Sequence, residues 1–99
     1  MTATEERIMT RHPDPTRQGV HITRKRYDAM QRALLAVIPR RAPGVAFADL
    51  PDLVRDTDLD GGSITWYVVA VKLDLQARGR IARLPGRGPQ RLIRTEARS

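Results

Sequence analysis

The 99-residue chain has no cysteine, which excludes a disulfide framework and a thiolate metal site. Histidine is scarce: His12 and His21 alone cannot build a structural zinc site, and both lie in a weakly patterned N-terminal segment. No apolar run approaches the roughly 18 residues of a membrane span, and nothing resembles a signal peptide. A cytoplasmic location and no membrane partner are therefore expected. Catalytic sets are missing too. No Ser-His-Asp or Cys-His arrangement presents itself, and no phosphate-cradling glycine loop precedes a lysine. No enzymatic activity and no cofactor are expected.

Positive charge is plentiful. The net charge is +7, spread unevenly. Residues 1–44 carry nine cationic and four anionic side chains, residues 45–64 one and five, and residues 65–99 eight and two. Two basic flanks around an acidic middle attract polyanions, nucleic acid first among them. Sixteen of the eighteen cations are arginine, which the codon bias of a GC-rich genome also explains.

The acidic middle contains "DTDLDGGSITWY", Asp56 to Tyr67. Asp56, Asp58 and Asp60 fall at positions one, three and five of a calcium loop, and Gly61 at position six. The bidentate carboxylate needed at position twelve is replaced by Tyr67, and the apolar residue at position eight by Ser63. The stretch reads better as an acidic surface turn reversed by Gly61-Gly62, with Asp60 near the positive end of the next helix. No metal is expected.

Residues 1–22 read as an N-terminal arm, partly disordered or with a short edge strand at "GVHI", after a turn at Pro13–Pro15. A first helix follows. Thr23 caps it, Ile22 and Tyr27 form a hydrophobic staple, and Tyr27, Met30, Leu34 and Val37 recur at helical spacing until Pro39. "RKR", Arg24 to Arg26, sits at its positive end, either as a solvated cluster softened by Asp28 or as a phosphate site. Val45–Phe47 suits one short strand. A second helix is expected from Asp49 as cap to about Asp56, with Pro51 in its first turn and Leu50, Leu53 and Val54 buried. A third runs from Ser63 to Arg78, ended by Gly79. Arg80–Leu84 and Gln90–Thr95 flank the turn "PGRGP" as a hairpin.

The segments "GVAFADLPDLVRD", "SITWYVVAVKLDLQARGRIARL" and "PGRGPQRLIRT" together resemble a winged helix-turn-helix domain. The ending "KLDLQARG…PQRLIR" is also similar to that of a group of small uncharacterised bacterial proteins. The resemblance implies a mainly α fold, three helices plus a hairpin wing, over residues 23–95, with 96–99 as a tail. It further implies a DNA-binding protein, a small dimeric transcriptional regulator. The third helix would contact bases through Thr65, Lys72 and Gln76, while Arg83, Arg87 and Arg91 of the wing grip phosphates of double-stranded DNA.

That third helix is apolar on two faces. Ile64, Val68, Val71 and Leu75 form one; Trp66, Val69, Ala70, Leu73 and Ala77 form the other, with Asp74 on a flank where it would repel phosphate. A helix apolar on two faces is usually buried on two. Either the arm around Val20 and Ile22 covers the second face, or Trp66, Val69 and Leu73 form an interface with a second copy or another protein. The second possibility defines an alternative function, a protein–protein interaction module.

Overall fold

The computed structural model describes residues 6–59 and 61–95. Strands β1 (Arg7–Met9) and β2 (His21–Thr23) lead into helix α1 (Arg24–Val37). Strand β3 (Val45–Ala46) follows, then a 3-10 turn (Phe47–Asp49) and the one-turn helix α2 (Leu50–Leu53). Helix α3 (Ile64–Ala77) and strands β4 (Ile81–Arg83) and β5 (Arg91–Arg94) complete the order.

Local chemistry sets most of these limits. The Thr23 side chain accepts the Arg26 N–H at the start of α1, and Ile38 turns extended before Pro39. Ser63 accepts the Trp66 N–H at the start of α3. At the other end, Gly79 has φ 75°, a conformation glycine adopts without penalty. The Arg80 N–H donates to Leu75 O and the Gly79 N–H to Gln76 O, so the last carbonyls of α3 are satisfied by the paired bonds of a Schellman ending.

The core lies between the two long helices and one face of a three-stranded antiparallel sheet of order β3-β5-β4. Met30, Leu34 and Ile38 meet Leu50, Val68, Val71 and Leu75, with Ile81 and Leu92 from the sheet. Val45 pairs with Leu92, and Ile81 with Arg94. A Cβ on Gly44 would lie 2.3 Å from Leu92 O, so only glycine lets this turn approach the central strand.

The expectation of a mainly α fold, three helices plus a wing, is corrected. Among the described residues the fold is mixed α/β, with only 39% helix and five strands in two small antiparallel sheets. Three physical causes account for the difference. The N-terminal segment contains a strand pair, Ile8 opposite Ile22, whose three-residue strands are too short to show a sequence period. Strand β3 joins the hairpin strands instead of standing alone. The second helix shrinks to one turn because the chain first winds as a 3-10 turn. Asp49 makes no capping side-chain bond there, and Leu53, expected inside, is 51% exposed. The expected tail at 96–99 and the placement of Asp60 lie outside the described residues.

Candidate functional site

Two recesses carry the residues of interest. The first is a cleft of about 130 Å³ at the C-terminal hairpin. Arg83 from β4, Arg87 from the turn and Arg91 from β5 all line it, with Pro43 and Pro89. Arg91 is anchored: its Nε donates to Pro43 O at 2.6 Å and its Nη2 to Gly44 O at 3.3 Å. All three arginines are exposed, and no acidic side chain among the described residues lines the cleft. The hairpin thus brings together three sequence-predicted cations that lie four residues apart.

The α3 flank is arranged differently. Lys72 is only 6% exposed, with its Nζ 4.9 Å from the centroid of the Phe47 ring. Burial pulls its pKa below the usual lysine value, and the nearby Arg83 adds to the shift. Gln76 is half-buried, and its Oε1 is enclosed without a hydrogen-bond partner. Thr65 is exposed, but it belongs to the second recess. The three polar residues therefore do not form one open surface.

The second recess is a groove of about 490 Å³ between α3 and the arm. Trp66, Val69 and Leu73 form its α3 wall, and Val20 lies on the arm side. Trp66 is 46% exposed, with its ring edge-on to Tyr67 at 4.9 Å. Of the two arm residues expected over this face, Ile22 goes into the core instead, while Val20 borders the groove without closing it. Arg11, His12 and Gln18 also line the groove. Sequence reasoning missed them because the arm has no sustained periodicity. The Pro13–Pro15 turn was the one signal that residues 7–23 fold back on themselves.

The arm is held in place by Asp74, which is fully buried. Its carboxylate accepts the Arg11 backbone N–H at 2.8 Å, the Tyr27 hydroxyl, and Arg78 Nε at 2.9 and 3.0 Å. Arg78 supplies the opposite charge, an ion pair one helical turn away in sequence. The flank position that seemed set to repel phosphate is instead a junction of arm, α1 and α3. Burial, then the bond to Asp74, pushes the Tyr27 phenol up to about 12.

The "RKR" cations are also partly engaged. Arg24 pairs with Glu6 at 2.8 Å, and Arg26 Nη1 donates to the Tyr67 hydroxyl at 3.0 Å. Among the described residues, no three histidine, aspartate or glutamate side chains come together as a metal site, and no helix is long and apolar enough to cross a membrane.

The profile of a family of unknown function, DUF6958, matches residues 7–92. The chain belongs to the DUF6958 family. The match starts where β1 starts and ends within β5, so the β1–β2 pair lies within the family's common region along with the helices and most of the three-stranded sheet. No curated protein and no solved structure matches, whether of a winged-helix domain or of any other fold.

Proposed function

We propose that this DUF6958 protein binds double-stranded DNA through its phosphate backbone, using the arginine-lined face of the C-terminal hairpin. The observation that carries the reading is the convergence of Arg83, Arg87 and Arg91 on one cleft with no acidic side chain among the described residues lining it. Guanidinium groups bind phosphate oxygens in a fork geometry, and their desolvation cost is lower than that of an ammonium. The surplus of cations over anions in residues 65–99, eight against two, extends the attraction beyond the cleft.

Base reading is a smaller part of this proposal. Lys72 is covered by Phe47 and Gln76 keeps its amide oxygen enclosed, so the α3 flank offers few donors for base edges. Binding led by phosphate contacts is strong at low salt, weak at high salt and tolerant of sequence.

The test is the double variant Arg83→Ala with Arg87→Ala, titrated against a fluorescein-labelled random duplex. The log–log salt slope is expected to fall by about 0.9 for each arginine removed. An unchanged affinity and slope would remove the hairpin from the binding surface.

A further inference from the structure

The groove between α3 and the arm has the dimensions and lining of a small-molecule site. Its volume, about 490 Å³, falls in the range of about 300–1,000 Å³ typical of ligand pockets. Such sites combine apolar walls with a few polar groups that fix orientation. Here Trp66, Val69, Leu73 and Val20 supply the walls, and Arg11 and His12 supply the polar groups. His12 Nδ1 accepts the Asp14 N–H at 3.0 Å. In its neutral form the ring therefore carries its proton on Nε2, which remains a donor.

Charge decides between occupants. No acidic side chain among the described residues lines the groove, while a guanidinium and an imidazole do. The groove also opens beside Ser63 and Thr65 at the start of α3, where the helix dipole favours negative charge. A second copy of this chain would bring its own +7 charge against that basic rim. An apolar anion fits both the walls and the rim. A flat ring suits the open tryptophan surface, since aromatic pairs gain from offset or edge contact beyond the area they bury.

We propose that the groove binds a small aromatic carboxylate, its ring against Trp66 and Leu73 and its carboxylate toward Arg11 and His12. This site is separate from the hairpin cleft and does not depend on DNA binding.

The probes are 2-naphthoate and its uncharged counterpart 2-naphthamide, titrated into ¹⁵N-labelled full-length protein. Trp66 is the only tryptophan, so the single indole N–H resonance reports occupancy directly. Naphthoate is expected to shift that resonance saturably, and Trp66→Ala to abolish binding in a folded protein, since Trp66 is outside the core. Arg11→Ala is expected to weaken naphthoate at least about tenfold, to the level of naphthamide. Equal affinity for the two probes, unaffected by Arg11→Ala, would overturn the carboxylate assignment. No saturable shift with either probe would overturn the site. So would an indole resonance that moves with protein concentration alone, alongside a monomer–dimer equilibrium in sedimentation, because a second copy would then occupy the groove.

Discussion

Asp74 and Tyr27 show how much one buried polar pair organises. The aspartate sits, fully buried, in the last turn of a helix that is otherwise mostly apolar, and its bonds reach the arm, α1 and the end of α3. Removing the Tyr27 hydroxyl leaves one bond of the buried carboxylate unmade, at a cost of about 1–3 kcal/mol. The pH dependence follows from Tyr27. Its phenol is raised from 10.0 to about 12, chiefly by burial, with Arg78 and Arg80 pulling weakly the other way. A folded-state pKa above the unfolded value contributes stability that is whole below pH 10 and lost as pH climbs toward about 12. The urea midpoint of the wild-type protein should therefore fall across that window. Tyr27→Phe should be less stable at pH 8 yet show a shallower fall. Parallel curves for the two proteins would mean that Tyr27 is not the group responsible.

Helix α3 and the arm behave as a pair of elements joined at that carboxylate. The close approach of the arm's two limbs depends on Gly19, where a Cβ would stand 1.8 Å from Thr10 O. Thr10 is buried there and bonded to Val20 twice: its N–H donates to Val20 O at 2.9 Å, and its hydroxyl accepts the Val20 N–H at 2.8 Å. Gly19→Ala should spread the limbs and destabilise the protein by about 1–3 kcal/mol, the usual cost of overpacking. Amide exchange should quicken at Thr10 and Val20 before the α1 amides respond; uniform acceleration would show that the arm is not a separate unit of stability.

Lys72 tests the helix itself. Desolvated against the Phe47 ring, its ammonium gains about 2 kcal/mol from the aromatic face, while burial penalises the charge. Lys72→Met should change stability by less than about 1.5 kcal/mol, the range of volume-conserving swaps. It should also leave DNA affinity within about twofold, since a covered side chain makes no phosphate contact. A tenfold loss of affinity would return Lys72 to the binding surface.

At the scale of the whole molecule, the sequence carried the helices better than the surfaces. Thr23, Ser63, Pro39 and Gly79 mark helix ends by chemistry that acts within a few residues, and all four act there in the structure. The "GVHI" edge strand overlaps β2, but its partner β1 stayed hidden, because a three-residue strand has no period to read. The bond from Arg11 to Asp74 spans 63 positions, and no local pattern announces it. The α3 flank looked polar on a helical projection, but a projection does not show that Phe47 lies over Lys72. The hairpin arginines were easier, because a hairpin fixes which residues sit near one another across its turn, and all three line one cleft.

What these surfaces add up to is a basic molecule with an open arginine cleft at one hairpin and an apolar groove along α3. The hairpin is proposed to grip DNA phosphates. The most direct measurement is the anisotropy of a labelled random-sequence duplex, titrated with wild-type protein at several salt concentrations. Three arginine–phosphate contacts predict a log–log slope of about −2.7, with little difference between unrelated duplex sequences. Absent binding at low salt, or binding with a slope near zero, would contradict the account.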